Sequence, residues 1–202
     1  MTPIERASDQ LIDRLKAVGQ LCLKDLEKTR AAVLGTNGTE PYDGADRELV
    51  DWFHEFEEDC FKTIALHHPV ARDLRHMMSI YKSGQDFERV HSLIEKIGRK
   101  IKKISTLEGL NLPDELADQY ETVQTMLRSG LDLAFSEQTG GDIPAALRQL
   151  EESSNKAKKA LKSNIEAQIQ DDGSRSRDLL LIIGISRHLD RMAKIVMSIL
   201  ED

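Results

Sequence analysis

The spacing of apolar residues along nearly the whole chain is the feature that most restricts how it can fold. Steps of three and four residues dominate, so the apolar side chains of a segment fall on one face of a helix and can pack against neighbouring helices. The longest such stretch comprises Val70, Leu74, Met77, Tyr81, Phe87, Val90, Ile94, Ile97, Ile101 and Ile104. Similar stretches begin at Leu11 and Leu179, and no segment shows convincing strand alternation. The sequence therefore predicts an all-α fold.

Clusters of Gly, Pro, Asn, Asp and Ser divide this pattern into six helices. They occupy residues 35–44, 105–113 and 137–144, with shorter breaks at His67-His68-Pro69 and from Asp171 onward. Pro69 suits the first turn of a helix, because a proline there loses no intrahelical hydrogen bond. The predicted helices run from near the start to Leu34, Asp46 to Leu66, Val70 to Ile104, Asp114 to Phe135, Ala145 to Gln170 and Arg175 to Leu200.

The order of these helices indicates an internal duplication. The central break leaves three helices on each side, in halves of similar length. Such a repeat has to be recognised before function is assigned, because each half is then one structural unit. We expect two tandem three-helix bundles, formed by residues 1–107 and 112–202 and lying side by side.

Composition argues against several classes of function. Aromatic residues make up 4% of the chain and the formal net charge is −7, which is unfavourable for binding nucleic acid. No apolar run approaches the roughly 20 residues that span a bilayer. Cys22 and Cys60 are isolated, as in a protein of the reducing cytoplasm. No nucleophile and base occur at a recognisable spacing, and no Gly-rich phosphate loop is present, so we expect no enzymatic activity.

Three short motifs carry a resemblance to a known family. Residues 60–75 read CFKTIALHHPVARDLR, residues 86–90 read DFERV and residues 188–192 read HLDRM. Their sequence and order resemble the PhoU family, in which the last two motifs lie midway along the third helix of each half. The resemblance covers nearly the whole chain and includes the duplication.

The resemblance implies a cytoplasmic, dimeric regulator that restrains phosphate-starvation signalling. Its implied partners are a second copy of itself, the ATPase subunit of the phosphate ABC transporter and a sensor histidine kinase, so it would reach the membrane through partners. The residues expected to form the functional face are Pro69, Asp73, Arg75, Asp86, Glu88, Arg89, Asp190 and Arg191.

The metal motif of the family is altered in this chain. Many members bind iron or zinc clusters through an acidic residue followed four positions later by Asp, a spacing that stacks both carboxylates on one helical face. The corresponding pairs here are Asp46 and Val50, Glu88 and Ser92, Glu151 and Asn155, and Asp190 and Lys194. Every second acid is replaced, and Lys194 adds a positive charge. We expect neither a metal cluster nor another cofactor.

Two alternatives remain open from the sequence. Glu88 with His91, and Asp51 with His54, have the i, i+3 spacing of di-iron helical bundles. If helices two and three are antiparallel neighbours, these pairs could form a mononuclear or dinuclear metal site. The second alternative is a diverged PhoU-like adaptor whose partner is unrelated to phosphate.

A basic cluster in helix five has a simpler interpretation. Lys156, Lys158, Lys159 and Lys162 are typical of the solvated face of an amphipathic helix. Such a cluster could also attract an acidic partner, an anionic lipid or phosphate; of these interpretations we expect the solvated face.

Overall fold

The computed structural model describes residues 2–35, 47–134 and 143–201. In these ranges the chain forms six α-helices, one 3-10 turn and no strand, which confirms the predicted fold class. The helices are α1 (Pro3–Leu34), α2 (Arg47–His67), α3 (Ala71–Ile101), α4 (Asp114–Ala134), α5 (Ala145–Asp171) and α6 (Ser176–Glu201), with the 3-10 turn at Gly173–Arg175. The predicted start of helix two at Asp46, the predicted end of helix four at Phe135 and most of the breaks at 35–44 and 137–144 lie outside the described residues.

The two ends of α1 follow from local chemistry. Thr2 and Glu5 form a capping box, in which each side chain accepts a hydrogen bond from the other residue's backbone N–H. Pro3 occupies the first turn, where a backbone donor is not needed. At the other end Gly35 adopts a left-handed conformation (φ 69°) and its N–H bonds to the carbonyl of Ala31. These signals fix the length of the helix that spans the first bundle.

Each triplet of helices packs as a bundle around its apolar seams. In the first bundle α3 lies close to α2 at Gly84, where an added Cβ would come within 2.5 Å of the Phe56 ring. In the second bundle the buried side chain of Gln119 on α4 donates to the carbonyl of Ser154 on α5 and to that of Ser186 on α6. One amide on α4 thus bonds to polar groups on both other helices of the bundle, which fixes the register of all three.

The two bundles lie side by side and share one continuous hydrophobic core. Between α1 and α4, Leu131 packs against Gly19. Between α3 and α6, the aliphatic part of Lys100 packs against Gly184. The division into domains at residues 107 and 112 stays a prediction.

The linker between the bundles is tied to the start of α6. Asp178 accepts a hydrogen bond from the backbone N–H of Ser105 at 3.1 Å and is paired with Arg175. These interactions hold the pKa of Asp178 below its usual value, with the backbone hydrogen bond as the largest cause. The linker is therefore held by a carboxylate that remains ionised near neutral pH.

The structure corrects the sequence prediction at the junction between α2 and α3. Pro69 does not lie in the first turn of a helix; it lies in the connector that joins α2 to α3, and Val70 is the N-cap residue. The seam of α3 begins at Met77, which is fully buried, whereas Val70 is 74% and Leu74 is 38% exposed. Met77 packs against Ser8 in the second turn of α1. Val70 and Leu74 precede Met77 along α3, toward the end of the bundle where α1 begins, and they remain exposed there.

No helix within the described ranges is long and apolar enough to cross a membrane. Cys22 and Cys60 are free and buried.

Candidate functional site

A sharp corner joins α2 to α3 and carries the first group of predicted site residues. His68 has a positive φ of 45°, and its N–H bonds to the carbonyl of Ile64 at 3.0 Å, which ends α2. The backbone N–H of Asp73 bonds to the carbonyl of Val70 at 3.2 Å in the first turn of α3. A carboxylate in this position interacts favourably with the helix dipole.

Polar side chains of the corner point to solvent. Asp73 and Arg75 are both exposed, and neither has an ion-pair partner in the part of the chain that the structure describes. The neighbouring His67, Arg72 and His76 are exposed as well. The corner therefore presents mainly basic groups that are available to a partner.

Apolar side chains are exposed on the same corner. Leu74 and Met78 are four residues apart on α3, so they share a face of the helix, and Val70 is the extended N-cap residue that precedes it. Leu66 lies at the end of α2, four residues before Val70. We call this group the corner surface; its exposed fractions are 75% for Leu66, 74% for Val70, 38% for Leu74 and 39% for Met78. Exposed apolar groups of this kind, next to charged ones, are typical of interaction sites.

The second group of predicted residues lies midway along α3. Asp86 is buried and accepts a hydrogen bond from Arg89 at 2.8 Å. Glu88 and Arg89 are exposed, with 67% of the Arg89 side chain accessible. The motif therefore combines one structural carboxylate with two groups on the surface.

The equivalent motif on α6 has a different charge arrangement. Asp190 is buried and pairs with two ammonium groups, Lys158 of α5 at 2.7 Å and Lys194 of α6 at 3.1 Å. The expectation that the whole lysine cluster of α5 faces solvent is therefore wrong for Lys158, whose side chain is 25% exposed and bonded to Asp190. Sequence reasoning missed this residue, because helical spacing within α5 does not reveal a partner on α6.

A cleft between α3 and α6 brings the two motifs together. It has a volume of about 540 Å³, and Glu88, Arg89 and Arg191 of the predicted residues line it. The remaining lining residues are Ser92, Leu93, Lys96, Lys194 and Ile195. Pro69, Asp73 and Arg75 do not contribute to this α3–α6 cleft.

The electrostatic effect of these cations is visible at His188, one turn before Arg191. Burial, which is the largest cause, and the charges of Lys100, Arg191 and Lys96 together lower the pKa of His188 from 6.5 to about 4. Among the residues that the structure describes, its buried Nδ1 has no hydrogen-bond partner. The imidazole is therefore neutral at physiological pH.

The two sequence pairs considered for a metal site are only partly brought together. His54 of α2 and Glu88 of α3 line a shared pocket of about 50 Å³, so these helices are neighbours as the hypothesis requires. His91, however, is buried against the ring of Phe53, with 6.1 Å between ring centroids, and Asp51 is exposed. Within the described ranges no group of three His, Cys, Asp or Glu residues is placed to hold a metal ion. Asp46 of the altered cluster motif lies outside those ranges.

Comparison with known proteins gives a consistent result. Residues 15–101, which include most of α1 and all of α3, match the family model described as the PhoU domain. A Pseudomonas putida protein named phosphate-specific transport system accessory protein PhoU homolog is 26% identical over 190 residues, covering 91% of this chain and 72% of that protein. The corresponding protein of Pseudomonas aeruginosa is 30% identical over 154 residues, covering 72% of this chain and 62% of its own length.

Other matches are shorter or structural. PhoU homolog 2 of Methanothermobacter thermautotrophicus is 33% identical over 79 residues, so the match spans about a third (34%) of that relative. The crystal structure of PhoU from Pseudomonas aeruginosa has the same fold, with a TM-score of 0.79 and 24% identity, over 98% of this chain and 95% of that one. The domain match, the relatives and the shared fold all indicate the same similarity, which is to PhoU proteins.

Proposed function

We propose that this protein regulates phosphate uptake and phosphate-starvation signalling without catalysing a reaction. The observation that carries the proposal is the match, over 91% of the chain, to a relative named as an accessory protein of the phosphate-specific transport system. The exposed basic and apolar groups on a rigid helical framework suit a protein that acts by binding other proteins.

The proposed partners are the ATPase subunit of the phosphate ABC transporter and a sensor histidine kinase, with a homodimer as the working form in the cytoplasm. Phosphate status would change which complex is populated, and the protein would shift that balance through its different affinities for the states. The membrane is reached through these partners.

The corner surface is the proposed contact region for one of these proteins. Leu66 and Val70 would supply apolar contact area, and Arg75 would pair with an acidic group of the partner. Charged groups at the rim of an interface favour correct partners and faster association. Asp73 is assigned a structural role at the start of α3.

Affinity capture from host cells grown in high and in low phosphate tests the proposal. We expect transporter or kinase subunits to be recovered with the parent protein in at least one condition. The variant Leu66→Asp/Val70→Asp should lose about tenfold or more of the captured partner, because each change places a charge in an apolar contact. Recovery of neither subunit in either condition, together with unchanged phosphate-starvation reporter activity in a deletion strain, would favour an adaptor with another partner.

A matched control separates this contact from general surface effects. Leu21 on α1 and Leu180 on α6 are 45% and 58% exposed, so Leu21→Asp/Leu180→Asp makes the same chemical change elsewhere. We expect this control to retain capture. Equal loss in both variants would rule out the corner surface as the contact region.

We also propose that the protein works without a multinuclear metal cluster. Lys158 and Lys194 already neutralise Asp190, and a cation placed there would be repelled by both ammonium groups. Elemental analysis after purification with iron and zinc present should find fewer than about two tightly bound ions per chain. Two or more tightly bound ions per chain would overturn this proposal. A single ion that is lost in both Glu88→Ala and His91→Ala would agree with it and would support the mononuclear alternative.

A further inference from the structure

The α3–α6 cleft concentrates positive charge in a protein that is acidic overall. Four cationic side chains line it, Arg89, Lys96, Arg191 and Lys194, against the single carboxylate of Glu88. The chain as a whole carries a formal net charge of −7. A concave site with charges of one sign raises the local concentration of oppositely charged ligands.

Two of these cations are available for a ligand. Arg89 is engaged with Asp86, and Lys194 with Asp190. Lys96 and Arg191 are exposed, and within the described ranges neither has an acidic side chain within ion-pair distance. The charges of both contribute to the lowered pKa of His188, so both lie close to the same part of the interface between α3 and α6.

The cleft also has an uncharged wall. Leu93 of α3 is 6% exposed and Ile195 of α6 is half-buried, and both line the space. These two residues occupy equivalent positions in the DFERV and HLDRM helices, as do Arg89 and Arg191. Apolar walls with a few converging polar groups are typical of sites for small molecules, and about 540 Å³ lies within the usual range of such sites.

We propose that the α3–α6 cleft binds a phosphorylated organic anion of nucleotide size. Its phosphate groups would lie between Lys96 and Arg191, and its uncharged part would cover Leu93 and Ile195. Arginine is suited to this role because its planar guanidinium can donate two parallel hydrogen bonds to a phosphate. A free inorganic phosphate would use the cations but would leave most of the volume and the apolar wall unfilled. This site is independent of the contacts proposed for the partner proteins.

Isothermal titration calorimetry with ATP, pyrophosphate and inorganic phosphate at constant ionic strength tests the proposal. We expect ATP to bind at least about tenfold more tightly than inorganic phosphate, with pyrophosphate between them. The variant Lys96→Gln/Arg191→Gln should weaken ATP binding by about tenfold or more. Both side chains are exposed, so the variant is expected to fold.

The control removes the same charge from another part of the surface. Lys156 and Lys159 on α5 are exposed and do not line the cleft, so Lys156→Gln/Lys159→Gln should bind ATP within about twofold of the parent. Equal weakening in both variants, or no ATP binding at millimolar concentration, would overturn the proposal. Equal affinity for ATP and pyrophosphate would overturn the proposal that the ligand is organic, because the nucleoside would then add nothing to the binding of a simple anion.

A second measurement locates the bound anion. Neutralising Lys96 and Arg191 with bound phosphate should raise the pKa of His188, which those cations now lower. NMR titration of the histidine ring protons with and without ATP reports this shift directly. ATP binding that leaves the titration of His188 unchanged would place the ligand elsewhere.

Discussion

Burying a carboxylate costs little stability only where cations and hydrogen-bond donors surround it. Asp190 forms two ion pairs, one with Lys158 and one with Lys194. We expect Lys158→Met to lower the free energy of unfolding by about 1–3 kcal/mol, because Asp190 would keep the more exposed Lys194 as its remaining cation. Urea denaturation measures the change. Lys159→Met, at the exposed neighbouring position, should stay within about 0.5 kcal/mol of the parent; a similar loss in both would show that the pair is not responsible.

His188 gives the protein a pH dependence at the residue scale. Its pKa is lowered to about 4 in the folded protein, so between pH 6.5 and 4 the unfolded chain binds a proton that the folded chain does not. The free energy of unfolding should therefore decrease as the pH falls through this window. His188→Gln should reduce that decrease by on the order of 1 kcal/mol, since solvent screens a half-buried ring. Denaturation curves near neutral and near acidic pH measure it; the same pH slope in parent and variant would contradict the assignment.

Close helix packing gives opposite expectations for two glycines at the element scale. At Gly84 an added Cβ would lie 2.5 Å from a ring carbon of Phe56, which is buried between α2 and α3. At Gly184 the nearest atoms belong to the flexible end of Lys100, which can move aside. We expect Gly84→Ala to destabilise by about 1–3 kcal/mol from overpacking. Gly184→Ala should be neutral or stabilising by up to about 1 kcal/mol, because alanine has the higher helix propensity.

Thermal unfolding of the two glycine variants measures the difference. Loss of stability in Gly184→Ala equal to that in Gly84→Ala would show that α3 and α6 are packed more rigidly than the Lys100 contact indicates.

Much of the fold at this scale is contained in local sequence. The apolar seams of α1 and α6 are buried as their spacing predicts. α1 ends at Gly35, whose left-handed conformation glycine adopts more readily than other residues. The prediction was wrong for Val70 and Leu74, because periodicity shows that residues share a face but not whether another helix reaches that face. The same limit hid the bond between Lys158 and Asp190, which are 32 residues apart. The α3–α6 cleft was likewise not predictable, since it depends on how the two bundles dock.

At the scale of the whole molecule, the continuous core argues that the two bundles unfold together. Contacts such as Leu131 with Gly19 and Lys100 with Gly184 cross between the bundles, and the buried apolar residues of both form one cluster. Splitting the halves would expose the sides of α3 and α6 that now face each other. The sequence predicts two repeats, but a repeat that buries its apolar surface against its neighbour need not be stable by itself.

Trp52 allows this cooperativity to be measured, because it is the single tryptophan and lies in the first bundle, stacked on Phe56. Its fluorescence reports on that bundle, whereas far-ultraviolet circular dichroism reports on all six helices. We expect the two urea transitions to coincide. Leu189 is fully buried in the second bundle. We expect Leu189→Ala to lower the free energy of unfolding by about 2–5 kcal/mol and so to shift the urea midpoints of both transitions together. If the tryptophan transition of this variant kept the parent midpoint while the dichroism transition moved, the bundles would be independent units, and the boundary at residues 107–112 would be a true domain boundary.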